Sequence, residues 1–330
     1  MKREEFSCKA APTTFPTALE CTYNTLRTQL KTLEDMITTE QKKKITAAIE
    51  RNRALYESDS KHAKVLGIST SVYSMVKQGQ TDKALSDANW VRLARRLDVS
   101  LKHEMDWQTA RTETFVTITQ QMEMVQGSAL SMILCDEPNI GKTYTARQYI
   151  KTHKEAIYID CSQVKTKRRF IRQMATEFGL DGRGTYADVY NDLTYYIVNV
   201  LQSPLVILDE AGDLQYEAFL ELKALWNATE HCCGWYMMGA DGLKEKINRS
   251  IDCKKVGYTE ILSRYGGKYA KISPDDGKDR EDFLMRQAVM VAKANAPKES
   301  SSLDIANIAR RAQGSLRRVY TEIEKVKGDE

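Results

Sequence analysis

The sequence predicts an α/β fold built on a parallel β-sheet, preceded by an all-α region and followed by a helical C-terminal segment. After about Gln108, apolar runs of strand length alternate with helical patterns, whereas the preceding part and the part after Arg280 show helical spacing only. Near-continuous apolar strands separated by helices are typical of a parallel sheet covered on both faces. The predicted strands are Ala129–Leu134, Ala156–Ile159, Leu205–Leu208 and Trp235–Met238, with a shorter run at Tyr269–Ile272.

The composition is that of a globular protein with a substantial core. The chain has 330 residues, of which 42% are hydrophobic and 28% charged, and this length favours roughly two domains. The net charge of +4 is too small to indicate nucleic-acid binding by itself. Seven cysteines without a repeating spacing predict a reduced, cytoplasmic protein. We expect no signal peptide after Met1 and no membrane partner, because no segment approaches about 20 apolar residues.

The sequence contains one group of possible zinc ligands, His231, Cys232 and Cys233. Adjacent cysteines point in different directions, and no second ligand pair with zinc spacing follows. We therefore interpret these residues as the entry to a buried strand.

Residues 1–40 are predicted to form an N-terminal arm. Pro12 and Pro16 lie among threonines, and the apolar spacing from Leu19 to Leu33 suits one amphipathic helix. Docking of that helix and a loosely ordered arm are both compatible with this pattern.

Residues 41–106 show the spacing of a helix-turn-helix DNA-binding domain. Ala63 allows two helices to cross closely, Gly67 suits the turn, and Ser69 can cap the second helix. In a DNA complex that helix would enter the major groove, although helical hairpins without a DNA role share the pattern. The predicted outward residues are Thr70, Ser71, Tyr73, Ser74 and Lys77. Lys83, Arg92, Arg95 and Arg96 are the neighbouring candidates for phosphate contacts, or else they form a solvated helix face.

The most specific motif is Cys-Asp-Glu-Pro-Asn-Ile-Gly-Lys-Thr at residues 135–143. A strand, a turn, Gly-Lys-Thr and a helix form the P-loop arrangement that binds nucleotide triphosphates. Backbone amides near Gly141 face the phosphates, Lys142 reaches their outer oxygens, and the Thr143 hydroxyl holds Mg²⁺. The predicted ATP-binding residues are Pro138, Asn139, Ile140, Gly141, Lys142, Thr143 and Tyr144.

This P-loop departs from the usual pattern at two positions. Asp136 stands where the first glycine is expected, and Asn139 occupies another position often held by glycine. Both residue types tolerate left-handed backbone conformations, but Asp136 adds a negative charge near a polyanion. We therefore predict that ATP still binds, weakly, and that hydrolysis is slow.

A second motif, Leu205-Val206-Ile207-Leu208-Asp209-Glu210, places two carboxylates at the end of an apolar strand. An ATPase needs this pair opposite its P-loop. Asp209 is the predicted Mg²⁺ ligand together with Thr143, and Glu210 is predicted to polarise the attacking water.

In this order, the helix-turn-helix, the P-loop, the Asp-Glu strand and the terminal helices resemble the AAA+ ATPases that help transposases, the family of the phage Mu target-selection ATPase. The resemblance covers about residues 45 to 328. It implies an AAA+ core at 107–275 and a helical lid at 276–330. ATP and Mg²⁺ are the implied cofactors.

The resemblance also suggests roles for three further polar residues. Tyr236–Gly239 looks like the strand before the first sensor, but Ala240 follows it, so Asp241 is the substitute candidate. Arg264, in Ile261-Leu262-Ser263-Arg264, would reach a neighbouring subunit's ATP. Arg317, at the start of the lid helix, would be the second sensor near the phosphate. Isolated surface salt bridges are the alternative for both arginines.

The resemblance implies a homo-oligomer, filament or ring, that binds duplex DNA largely without sequence preference and presents it to a transposase. Lys165, Lys167, Arg168 and Arg169 form the densest basic run and are the DNA-binding candidates. A solvated helix start is the alternative for this run.

Two other functions share these motifs. The chain could be a helix-turn-helix regulator whose degenerate P-loop only senses nucleotide, or a replication initiator or loader. DNA-stimulated ATP turnover would separate the regulator from the ATPase.

Overall fold

The structure is a computed structural model, and it describes residues 37–81, 84–99, 101, 107–297 and 299–328. The predicted arm therefore lies almost entirely outside the described residues, as does Lys83. Among the described helices, none is long and apolar enough to cross a membrane.

A four-stranded parallel sheet forms the centre of the fold, as the sequence predicted. Its order is β1-β4-β3-β2, so the P-loop strand β1 lies at one edge and β3 lies inside the sheet. The register aligns Cys135 with Gly239 and Asp160 with Asp209, which brings the carboxyl ends of the strands to one edge. The strands are β1 (Ser131–Cys135), β2 (Ala156–Asp160), β3 (Leu205–Asp209) and β4 (Gly234–Gly239).

The predicted fifth strand at Tyr269–Ile272 is wrong, because only Ala270 bridges to β1, at Leu134. The Ala270 carbonyl accepts from the Cys135 amide at 3.0 Å, and the Ala270 amide donates to the Ile133 carbonyl at 2.8 Å. Two residues further on, the Ile272 amide donates to the side chain of Asp136 instead of to a carbonyl of β1. The Asp136 carboxylate thus takes the place of a backbone acceptor, and the pairing with β1 is limited to Ala270.

Helices cover both faces of the sheet because successive strand residues point in opposite directions. One face packs Ile133, Leu208 and Trp235 against the helices that follow β2 and β3, and the other packs Ile207 and Tyr236 against the helices flanking β1. These helices are α5 (Glu113–Gly127), α6 (Lys142–Thr152), α7 (Lys167–Glu177), α8 (Tyr186–Asn199), α9 (Tyr216–Ala228), α10 (Asp241–Asp252) and α11 (Tyr258–Arg264).

The N-terminal part consists of short helices around its own core, which includes Ile45, Trp90 and Leu93. Gly67 ends the second helix with a left-handed φ of 70°, and the Ser69 hydroxyl accepts from the Val72 amide at 3.3 Å to begin the third. The predicted glycine turn and serine cap are therefore present. The helices are α1 (Thr39–Arg53), α2 (Asp59–Leu66), α3 (Thr70–Lys77) and α4 (Asp87–Arg96).

Tyr73 is wrong as an outward residue of α3. Its side chain is only 2% exposed, and its hydroxyl lies 2.8 Å from Nδ1 of His62. His62 is fully buried and its Nε2 lies 3.0 Å from the Asn52 side-chain oxygen. Tyr73 therefore packs in the core of the N-terminal helices, where its hydroxyl satisfies a buried histidine.

Three C-terminal helices form the predicted helical segment, here called the lid. Their shared core includes Ala288, Ile308 and Val319. The helices are α12 (Gly277–Asn295), α13 (Ser302–Ala312) and α14 (Leu316–Gly328). The first of them, α12, begins directly after Asp276, whose side chain caps it by accepting from the Lys278 amide at 2.8 Å.

Candidate functional site

The P-loop connects β1 to α6 and takes a conformation that few residue types adopt. Asn139 has a φ of 65° and Gly141 a φ of 103°. Asparagine and glycine tolerate this left-handed region better than other residues. The loop can therefore form with Asn139 in place of glycine, as the sequence suggested.

Lys142 is the first residue of α6 and is only 8% exposed. Its Nζ donates to the backbone carbonyls of Asp136 at 2.7 Å and Glu137 at 2.5 Å. Burial lowers the pKa of this ammonium group. The lysine thus spans the loop from its C-terminal end to its N-terminal end.

Asp136 is fully buried and points away from the phosphate side of the loop. One carboxylate oxygen accepts from the Ile272 and Ser273 amides, at 2.7 and 2.9 Å, and the other from the Glu137 amide at 2.8 Å and from the Ser273 hydroxyl. Four donors therefore satisfy a carboxylate that burial would otherwise destabilise. Asp136 anchors the loop to the segment that leads into the lid, and it does not add its side chain to the phosphate side.

Two further loop residues contact the lid directly. The Asn139 carbonyl accepts from the Leu316 amide of α14 at 3.1 Å. The Glu137 carboxylate pairs with the Arg280 guanidinium of α12, whose second nitrogen lies 2.9 Å from it. Loop and lid are consequently joined at three places, counting the Asp136 anchor.

Asp209 ends β3 opposite the P-loop and is 3% exposed. Its Oδ2 accepts from the Thr143 hydroxyl at 2.7 Å and from the Tyr158 hydroxyl at 2.8 Å. Its Oδ1 accepts from the Glu210 amide at 3.0 Å. The structure therefore brings together the two predicted metal ligands, Thr143 and Asp209, and adds Tyr158, which sequence reasoning missed.

Glu210 follows Asp209 with left-handed dihedral angles, φ 49° and ψ 41°. Such a conformation is uncommon for a glutamate and concentrates at functional sites. Burial, and then the neighbouring Asp209 carboxylate, raise the pKa of Glu210. The turn places Glu210 on the wall of a cavity that lies beside the P-loop.

A cavity of about 610 Å³ lies between the P-loop, the lid and the segment before α5. This volume is within the usual range for small-molecule sites. Of the predicted ATP-binding residues, Pro138, Asn139, Gly141, Lys142, Thr143 and Tyr144 line it, and Ile140 is buried behind them. Sequence reasoning missed the apolar wall, which consists of Trp107, Ala110, Phe115, Val291 and Leu316.

The oxygen donors at the cavity fit Mg²⁺. Thr143 lines the cavity, and its hydroxyl lies 2.7 Å from a carboxylate oxygen of Asp209. Carboxylate and hydroxyl oxygens are the ligands that this hard cation prefers. Among the described residues, no group of three or more His, Cys, Asp or Glu could hold a metal ion.

The predicted sensor and finger residues occupy three different positions. Arg317 lines the cavity, and so does Ala240, whereas Asp241 is exposed at the first position of α10 and is not among the lining residues. Arg264 also lies outside the cavity. Its Nε donates to the Asn227 side-chain oxygen at 2.7 Å, and its guanidinium lies 5.3 Å from the Trp226 ring centre.

The basic run divides into paired and exposed residues. Lys165 pairs with Asp213 at 2.7 Å and Lys167 with Glu221 at 3.0 Å. Arg168 and Arg169 are exposed in the first turn of α7.

The N-terminal candidates also differ in their surroundings. Thr70, Ser71 and Ser74 are exposed, and Lys77 is exposed but pairs with Asp59 at 2.9 Å. Among the phosphate candidates, Arg92 and Arg95 are exposed, whereas Arg96 donates to the Thr176 carbonyl of the sheet domain at 3.3 Å.

Comparison with known proteins agrees with this geometry. Residues 125–247 match the family model of the AAA domain, and the matched range includes both the P-loop and the Asp-Glu strand. No curated protein matches the chain. Among solved structures, Cdc6p from Pyrobaculum aerophilum is similar over 66% of this chain and 62% of its own, with 18% identity and a TM-score of 0.49. The parallel four-stranded sheet with its flanking helices and the match to the AAA domain model confirm the α/β fold class predicted from the sequence.

Proposed function

We propose that this protein is an AAA+ ATPase that binds ATP and Mg²⁺, assembles on duplex DNA and delivers that DNA to a transposase. The observation that carries the ATPase part is the convergence of Lys142, Thr143, Asp209 and Glu210 at one cavity edge. These residues are two adjacent pairs, one after β1 and one at the end of β3, and the pairs meet only in the folded chain.

The cavity has the two parts that a nucleoside triphosphate needs. At one side, the first turn of α6 and Lys142 offer backbone amides and an ammonium group to phosphates. At the other, Trp107, Phe115 and Val291 provide apolar surface for a base.

Thr143 and Asp209 would hold Mg²⁺, which neutralises charge on the phosphates. Glu210 stands on the same wall and would accept a hydrogen bond from the attacking water. It can do so only as a carboxylate, and its raised pKa narrows the pH range in which it is ionised. Arg317, on the lid side, would place a positive charge near the phosphates.

Arg264 has a different role in this proposal, since it lies outside its own chain's cavity. A finger arginine acts across a subunit interface and stabilises charge on the phosphoryl group that is transferred. Its stacking on Trp226 and its bond to Asn227 hold the guanidinium in place at the surface. Hydrolysis would then take place only in the assembled oligomer, which agrees with the slow ATP turnover that the sequence predicts.

Arg168 and Arg169 carry the proposed DNA contact. Positive charges in the first turn of a helix oppose the helix dipole and cost stability. The first turn of α7 contains Lys167, Arg168 and Arg169 and no acidic residue. A ligand with negative charge, such as a phosphate backbone, would offset that cost.

Measuring ATP turnover with and without duplex DNA tests the ATPase part. We expect slow turnover by the wild type that DNA accelerates, and loss of turnover in Glu210→Gln with ATP binding retained. Lys142→Ala should abolish ATP-dependent DNA binding. Failure of DNA to change wild-type turnover would instead favour a regulator that senses nucleotide.

Electron microscopy with duplex DNA and a non-hydrolysable ATP analogue tests assembly, for which filaments or rings are expected. The double variant Arg168→Gln with Arg169→Gln should weaken DNA binding and reduce its salt dependence. Arg310→Gln with Arg311→Gln is the matched control, because these adjacent arginines are also exposed on a helix. Equal losses in both double variants would contradict a DNA surface at α7.

The partner is the finest part of the proposal. It rests on the order of the helix-turn-helix, the AAA domain and the lid, which a replication initiator shares. Stimulation of strand transfer by a transposase encoded beside this gene would support delivery of target DNA, whereas its absence together with helicase loading would support the initiator.

A further inference from the structure

Asp209 is almost completely buried. As a metal ligand in the proposed function, its carboxylate has to keep one orientation. Within the described residues, no lysine or arginine nitrogen comes within 4.0 Å of its carboxylate. A buried carboxylate without an ion-pair partner depends on hydrogen bonds. The three donors around Asp209 therefore determine the direction of its carboxylate.

These donors differ in what holds them. The Thr143 hydroxyl belongs to α6 and to the P-loop, which contacts the substrate in the proposed function. The Glu210 amide belongs to the strained turn after β3. Tyr158 alone comes from the neighbouring strand, where β2 pairs with β3 and Tyr158 lies opposite Ile207.

Tyr158 is held firmly as a donor. The Arg147 guanidinium lies 5.3 Å from its ring centre, and Arg147 itself lines the cavity. The Tyr158 hydroxyl donates to Oδ2 of Asp209 at 2.8 Å.

We propose that Tyr158 is a positioning residue for the metal site, which keeps the Asp209 carboxylate directed at Mg²⁺ whatever the state of the P-loop. This inference rests on the proposed function, because it needs a metal–nucleotide complex at the cavity. Partners that orient a metal-ligating side chain typically change metal affinity when they are removed. Tyr158 acts through Asp209 and need not touch the nucleotide.

The test compares the full-length wild type with Tyr158→Phe. At a saturating concentration of a fluorescent ATP analogue, binding is followed while Mg²⁺ is titrated. We expect the half-saturating Mg²⁺ concentration to rise about tenfold in Tyr158→Phe, since a hydrogen bond to a charged group is lost.

Tyr149→Phe is the matched control. Tyr149 is also buried, and its hydroxyl donates at 2.7 Å to the Gln126 side chain, away from Asp209. Its removal should leave the Mg²⁺ dependence unchanged. The thermal unfolding midpoint without nucleotide is measured for all three proteins, and an equal change in both variants is expected.

Three outcomes would overturn the inference in distinguishable ways. An unchanged Mg²⁺ titration in Tyr158→Phe, with or without a lower unfolding midpoint, leaves the ATPase proposal intact and assigns Tyr158 a packing role. The same rise in Tyr149→Phe shows a general effect of losing a buried hydroxyl. A wild type that binds no analogue with Mg²⁺ rejects the proposed function, and the role of Tyr158 with it.

Discussion

Asp136 and Asp209 are both buried aspartates at the carboxyl edge of the sheet, yet their surroundings differ. Asp136 accepts from the Glu137 amide within the loop, and from the Ile272 and Ser273 amides on the side that leads to the lid. Asp209 accepts from the hydroxyls of Thr143 and Tyr158 at the phosphate edge. The comparison teaches that a strand-ending aspartate has a structural or a chemical role according to the donors that face it.

Asp209→Asn should have the largest effect and should act on chemistry. Asparagine can still accept from Thr143 and Tyr158 but lacks the charge that Mg²⁺ needs, so we expect ATP turnover to fall about 100-fold or more. The asparagine nitrogen would face the Glu210 amide, so we expect a loss of about 1–2 kcal/mol in the free energy of unfolding, measured by urea unfolding. A large loss of stability with turnover retained would break the contrast with Asp136.

Asp136→Ala should act on stability. Removing the carboxylate leaves the Ile272 and Ser273 amides without their acceptor, which we expect to cost about 2–4 kcal/mol in the free energy of unfolding. Urea unfolding measures this loss. Asp160→Ala is the control, because the Asp160 side chain accepts only from Ser162 and is half-buried.

An equal loss of unfolding free energy in the Asp136 and Asp160 variants would show that the buried Asp136 carboxylate stabilises the fold no more than the half-buried Asp160 carboxylate. Asp136→Asn sharpens the result further. Asparagine has the size of aspartate, but its side-chain nitrogen would face N–H groups that now donate to the carboxylate. We therefore expect a loss in the free energy of unfolding that is smaller than that of Asp136→Ala.

The pair of Glu137 with Arg280 should have the smallest effect. The Arg280 side chain is half-exposed, and exposed ion pairs contribute about 0.2–1 kcal/mol. A double-mutant cycle with Glu137→Gln and Arg280→Gln should therefore give a coupling free energy in that range, weakening as salt is added. A coupling as large as the Asp136→Ala loss would place the main anchor at Glu137.

The sequence was sufficient wherever local periodicity decides the structure. The apolar runs at β3 and β4 have no competing signal, and the Gly67 turn and Ser69 cap follow from backbone chemistry. Tyr73 was misplaced because helical spacing does not show that His62, on the preceding helix, needs a hydrogen-bond partner.

The cavity could be predicted only in part for the same reason. Residues of the P-loop are adjacent in the chain, so their spacing reveals them. Trp107 and Val291 reach the same cavity from distant segments, and Tyr158 on β2 contacts Asp209 on the neighbouring strand β3. The charge of Asp136 was expected near the phosphates, but the direction of its side chain depends on Ser273, which no local pattern links to it. Roles for Arg264, Asp241 and the basic run stay predictions.

The three connections between loop and lid have a kinetic consequence. Asp136 holds the segment before α12, Glu137 holds α12 itself, and the Asn139 carbonyl holds the start of α14. In the proposed complex a nucleotide would leave the cavity freely only after the lid moves, and the lid can move away from the loop only when these bonds open together. At about 1 kcal/mol for each connection, joint opening of all three costs about 2 kcal/mol more than opening one, so it is about 30-fold rarer. In the proposed nucleotide complex, these connections between loop and lid would lengthen the residence time of the nucleotide.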